Sequence, residues 1–129
     1  MVIDSNIIIA AAFHTPYSDD SRRLLAHLGD RWVTLSNWRS EFIASTPDSL
    51  FPPNGIDPRT ESECLDALLA ADRLVGVNTQ EPLPTSILPL VTRLRGVKTY
   101  DLEFVALAVE LDLPLVTADL RLVRALRPF

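Results

Sequence analysis

The stretch that decides the fold is Thr99-Tyr100-Asp101-Leu102-Glu103-Phe104-Val105-Ala106-Leu107-Ala108-Val109-Glu110-Leu111, followed after Asp112-Leu113-Pro114 by Leu115-Val116-Thr117-Ala118-Asp119. Leu102, Val105, Ala106 and Val109 recur at i, i+3, i+4 and i+7, and Phe104, Leu107 and Ala108 make the segment apolar nearly all round. That pattern predicts a buried helix from Asp101 to about Leu111. Pro114 then opens a short apolar strand, Leu115 to Thr117, and a final short helix carries Arg121 and Arg124. A buried helix delivering the chain into a buried strand is the unit of an α/β layer fold. Each half of the unit has a carboxylate at its edge, Asp101 and Asp119.

Working outward, the same alternation continues. Val2-Ile3 reads as a buried strand ending at Asp4, and Ser5 to Ala12 as a helix starting there. A second helix is expected from about Asp19 to Leu28, with Leu24, Leu25 and Leu28 on one face and Gly29 as its stop. Trp32 to Leu35 is read as the next strand, and Asn37 to about Ala44 as a helix carrying Glu41. The segment 47–58 holds Pro47, Pro52, Pro53 and Pro58 and is read as an exposed loop. Thr60-Glu61-Ser62-Glu63 has the spacing of a capping box, and its helix is expected to reach about Leu74 and bury Leu65, Leu68 and Leu69. Leu74 to Val77 is a weaker strand candidate, and Ser86 to Leu94 a further helix. The expected architecture is a central, mainly parallel sheet of about four to five strands flanked by helices.

At 129 residues the chain suits one compact domain. Hydrophobic residues at 47% and charged residues at 22% exclude a disordered chain. No apolar run is long enough to span a bilayer, the first residues form an acid-tipped strand rather than a basic leader, and the cytoplasm is the expected address. The lone cysteine, Cys64, falls in an apolar helical pattern and is read as core. The net charge of −5 runs against phosphate binding, yet without the four acids discussed next it would be −1. Eleven of the twelve basic residues are arginine, which offers planar donors to phosphate, although coding bias gives the same count.

Asp4, Glu41, Asp101 and Asp119 lie near strand ends or helix starts, where side chains of an α/β fold can converge. Converging carboxylates repel unless a hard cation joins them, so a divalent-metal site is the leading reading. Each acid also has a structural reading: Asp119 as a helix cap, Asp101 as a first-turn acid favoured by the helix dipole, Glu41 as an exposed helix residue. Glu103, Glu110 and Asp112 are read as solvated or pairing residues.

Four blocks together resemble the PIN-domain ribonucleases, and within them the VapC-type toxins of toxin–antitoxin pairs. The blocks are Val2-Ile3-Asp4-Ser5-Asn6, Trp38-Arg39-Ser40-Glu41, Tyr100 to Ala108, and Pro114 to Leu122, and they run through essentially the whole chain, 1–129. The resemblance implies that Asp4, Glu41, Asp101 and Asp119 bind Mg²⁺ or Mn²⁺ and that Ser5, Asn6 and Thr117 position carboxylates or water. It also implies an RNA substrate and a cognate antitoxin protein. The proline-rich stretch 47–58 and the ending at Pro128-Phe129 depart from the family pattern.

The chemistry is consistent with such a set. Mg²⁺ keeps several waters when held by a few carboxylates, lowers the pKa of bound water and stabilises charge on phosphoryl oxygens. No catalytic histidine is needed, and His14 and His27 lie outside the acidic blocks. Arg121 and Arg124, with Arg127, form one candidate rim for RNA phosphates, and Arg93, Arg95 and Lys98 another; both sets could equally neutralise helix ends. The apolar helix around Phe104 and the helices near the N-terminus are candidate homodimer surfaces. Two other classes remain open on the residues alone: a phosphoacceptor receiver domain, which would show an acidic pair at the first strand and a late lysine, and a PIN-like fold that binds without turnover.

Overall fold

A computed structural model describes residues 1–13 and 18–127, with Tyr100 described in its backbone only. His14, Pro128 and Phe129 lie outside the described residues. The elements in order are β1 (Val2–Ile3), α1 (Ser5–Ala12), α2 (Ser18–Leu28), α3 (Trp38–Leu50), α4 (Glu61–Val75), α5 (Pro84–Arg93), α6 (Thr99–Leu111), β2 (Leu115–Val116) and α7 (Leu120–Leu126).

The α/β alternation holds, but the sheet is smaller than expected. β1 and β2 pair in parallel, Val2 with Leu115 and Ile3 with Val116. Two single-residue parallel bridges widen this pair: Val33 lies beside Val2, and Thr34 beside Thr79. Among the described residues there are thus two strands, not four to five. The reason is local. β1 gives way at once to α1, and Trp32–Leu35 keeps only two bridging residues before the turn into α3. The strand expected over Leu74–Val77 does not form, because α4 continues to Val75 and Gly76 caps it at φ 54°, leaving Val77 exposed. Thr79 takes the edge position instead.

β1 separates two apolar layers by the alternation of its side chains. Ile3 packs with Ile7, Ile8 and Phe42 and with Cys64, Ala67, Ala71 and Val75 of α4. Val2 packs on the other side with Leu35, Phe104, Leu107 and Ala108. Leu102 and Val105 form a third cluster with Leu94 and Leu122, tying α6 to α7 and to the end of α5. The placement of Cys64 in the core is as read from sequence. Phe104, however, is 1% exposed inside the chain's own core, so it is not a free dimer surface; Val109, expected on the buried stripe, is 67% exposed.

Two helices differ from expectation for identifiable reasons. α3 runs through Pro47, where a loop was expected. Pro47 has no N–H to give the carbonyl of Ile43, and the Thr46 hydroxyl donates to that oxygen at 2.7 Å, compensating for the missing donor. α4 begins with the expected capping box, Thr60 N–H to Glu63 Oε1 at 3.2 Å and Glu63 N–H to Thr60 Oγ1 at 3.1 Å. It buries small residues, whereas Leu65 and Leu69 are exposed and Leu68 only flanks the core. Small side chains on the inner face let α4 approach α1 and α3 closely, and the leucines are left on the outer faces. No helix among the described residues is long and apolar enough to cross a membrane.

Candidate active site

All four acids singled out in the sequence occupy helix starts. Asp4 caps α1, Glu41 and Asp101 lie in the first turns of α3 and α6, and Asp119 caps α7. Asp119 Oδ1 accepts from the N–H groups of Arg121 at 2.9 Å and Leu122 at 3.3 Å. The capping reading and the clustering reading are therefore both satisfied. Carboxylates gathered near helix N-termini gain from the helix dipoles part of what they lose by mutual repulsion.

The parallel pairing of β1 with β2 brings Asp4 and Thr117 together, 113 positions apart in the chain. The Thr117 hydroxyl donates to Asp4 Oδ2 at 2.7 Å. Thr117 Oγ1 itself accepts from Asn6 Nδ2 at 3.3 Å and from the Asp119 N–H at 3.0 Å. Asn6 Oδ1 in turn accepts from the Ala118 N–H at 3.2 Å. Thr117 thus ties three pieces of the site through one oxygen. The Ser5 hydroxyl lies against both Asp4 Oδ1, at 3.3 Å, and Glu41 Oε2. Having one proton, it can donate to only one carboxylate at a time.

Electrostatics show how near the acids lie to one another. Burial pushes the Asp4 carboxyl above its ordinary range, and the Asp119 charge adds to this, against hydrogen bonds from Thr117, Asn6 and Ser5. Burial likewise raises Glu41, with Asp4, Asp101 and Glu103 repelling its charge and Ser5 opposing them. Asp101 is raised by burial and by the charges of Asp4 and Asp119, with Lys98 acting the other way. The four acids from four segments form one electrostatic unit.

Their accessibility is not uniform. Asp101 and Asp119 line an open groove of about 520 Å³ together with Lys98 and Arg121. Asp4 is 5% exposed, and neither it nor Glu41 lines the groove. Arg124, expected beside Arg121 on the rim, does not line the groove, and neither do Arg93 and Arg95. His27 lies in the last turn of α2, outside the acid set.

Glu103 was not expected in this set. Burial raises its carboxyl, with help from Glu81, and its charge reaches Glu41. Helical periodicity gives no reason to group residues two apart, such as Asp101 and Glu103, so no sequence signal marks it.

The donor set is entirely oxygen, which suits a hard cation. Glu41 Oε1 is buried and has no hydrogen-bond partner, an arrangement that favours a positive ligand. Yet among the described residues no three Asp, Glu, His or Cys side chains are arranged to hold an ion together. The residues fit an open site, in which one or two carboxylates and retained water complete the coordination, and not a closed cage.

The protein-family model described as the PIN domain matches residues 1–127. No curated protein and no solved structure matches the chain.

Proposed function

The chain belongs to the PIN-domain family, whose members are typically metal-dependent nucleases, and on that premise we propose that it is a Mg²⁺- or Mn²⁺-dependent endoribonuclease acting as the VapC-type toxin of a toxin–antitoxin pair. Family membership removes the phosphoacceptor receiver reading. The observation that carries the catalytic proposal is the gathering of carboxylates at the starts of α1, α3, α6 and α7, with a Glu41 oxygen buried and without a hydrogen-bond partner.

Asp4, Glu41, Asp101 and Asp119 are the acids proposed to hold the ion, one or two of them by direct coordination and the others through its retained water. A divalent cation bound there supplies charge to the phosphoryl oxygens and lowers the pKa of water at the site. Ser5 keeps Glu41 beside Asp4, and Thr117, itself held by Asn6, orients Asp4 and the backbone of Asp119. Lys98 and Arg121, on the walls of the groove, receive the phosphodiester backbone. The partners proposed are RNA, a cognate antitoxin protein and a second copy of the chain. With Phe104 internal, the exposed Leu88 of α5 and Val109 of α6 take its place as candidate dimer contacts.

The test is cleavage of total and transfer RNA by the purified chain with Mn²⁺ or Mg²⁺, against EDTA and against Asp101→Asn. Metal-dependent cutting, abolished by the substitution and leaving 5′-phosphate and 3′-hydroxyl ends, is expected. Products ending in 2′,3′-cyclic phosphate would overturn the mechanism. The toxin role predicts that expression arrests growth and that a co-expressed partner protein relieves the arrest.

A further inference from the structure

A second cavity, of about 270 Å³, lies beside the acidic groove. Residues Thr117 and Ala118 line it, and Ala118 and Leu120 line both spaces. Its other walls are Ile7 of α1 and Leu24 of α2, and its polar edge is Asp20 and Ser21, from the start of α2. Thr117 is the residue whose hydroxyl holds Asp4, so the cavity adjoins the acid set directly.

Three properties define what it can hold. Its size is below the roughly 300 Å³ at which sites for drug-sized ligands begin, and so suits a single small ring system. Its walls are aliphatic, suited to the faces of a planar ring. Its charged edge is an acceptor-only carboxylate, Asp20, which among the described residues pairs only with Arg23, at 4.0 Å across an exposed and weak contact. Proteins that read single-stranded RNA hydrogen-bond the Watson–Crick edges of unstacked bases. Guanine presents two adjacent donors on that edge, N1–H and N2–H₂. Adenine and cytosine set a ring acceptor beside their amine, and uracil flanks one donor with two carbonyls, so each opposes lone pairs to a carboxylate.

We infer that this cavity is a guanine subsite for a nucleotide adjoining the cleaved phosphate, with Asp20 as the residue that sets base preference. The inference rests on the nuclease reading. Its test therefore has one arm that needs no cleavage.

In the first arm, guanosine, inosine and adenosine 5′-monophosphates are titrated into the chain in EDTA, and backbone amide shifts are followed by NMR. Guanosine monophosphate should shift the amides of Ser21, Leu24 and Ala118 and saturate at about tenfold lower concentration than adenosine monophosphate, the scale of one bidentate base contact. Inosine monophosphate, lacking the 2-amino group, should fall between. Asp20→Asn should bring guanosine and adenosine monophosphates within about twofold of each other; Asp20 lies on the exposed surface of α2, so the fold should persist. Equal binding of the two in wild type, a preference surviving in Asp20→Asn, or shifts confined to other residues would overturn the assignment. In the second arm, single-stranded oligoribonucleotides with one guanine are cut with Mn²⁺. Cutting at positions independent of guanine overturns the subsite and leaves the nuclease standing. Guanine-selective binding without any cutting retains the subsite and removes the nuclease reading.

Discussion

Replacing Thr117 by valine keeps the shape of the side chain and deletes the oxygen through which three parts of the site are joined. The bond lost to Asp4, at 2.7 Å, ends on a buried carboxylate, and such charge-assisted bonds contribute about 1.5–3 kcal/mol. The contacts with Asn6 at 3.3 Å and with the Asp119 N–H at 3.0 Å are neutral donors to an oxygen, each contributing about 0.5–1.5 kcal/mol. Asn6 and Asp119 are only partly buried and recover part of this from water, so a loss of about 3 kcal/mol is expected at pH 7. With m on the order of 2 kcal/mol/M, the urea midpoint should fall by roughly 1.5 M. The effect should depend on pH. The Thr117 bond favours the ionised form of Asp4, so its contribution is present above the folded pKa of Asp4 and is lost as pH falls through it. That pKa already lies above the ordinary 3.8, and Thr117→Val raises it further. Urea titrations of wild type, Thr117→Val and Thr117→Ser at neutral and acid pH provide the assay. Serine should restore most of the loss, and the valine deficit should shrink as the solution is acidified. A valine variant within about 0.5 kcal/mol of wild type at pH 7 would refute the reasoning, since surface changes of no consequence fall in that range. A deficit independent of pH would refute the part assigned to the Asp4 charge.

The remaining predictions concern the acid cluster and the helix frame. Asp4, Glu41 and Asp101 all have raised carboxyl pKa values, so between their ordinary and folded values the native state holds more protons than the unfolded chain. Metal-free stability should therefore decline as pH rises through the folded pKa values, and saturating Mn²⁺ should flatten that decline; urea midpoints with and without the ion check both. Asp101→Asn removes one repelling charge, and it should stabilise the metal-free chain by about 0.5 kcal/mol, a figure kept small by solvent screening, while abolishing cleavage. Thr60→Ala breaks the capping box of α4 and should cost about 1 kcal/mol in the same denaturation assay, with cleavage per folded molecule unchanged.

The sequence alone determined the alternation of helices with short apolar strands, because hydrophobic period and capping chemistry are local. The start of α4 at Thr60 and the stop of α2 at Gly29 could be read directly from residue type. It also identified four acids at element boundaries, although each had a sufficient local explanation as a cap or first-turn residue. Where those acids lie relative to one another was decided by the parallel pairing of β1 with β2 and by the packing of α3 and α6 on either side of β1. That pairing also assigned Thr117 to Asp4 across 113 positions, a contact no local pattern encodes. Tertiary structure further decided that α4 turns its alanines inward and its leucines outward, since the inner face is set by the close approach of neighbouring helices. It continued α3 through Pro47 because the Thr46 hydroxyl could compensate for the missing donor. It brought Glu103 into electrostatic contact with Glu41, although nothing in the spacing of Asp101 and Glu103 suggested it. Helices, strands and caps follow from interactions within a few residues. The convergence of charge that makes a site follows from contacts between segments far apart in the chain, and those exist only once the layers have packed.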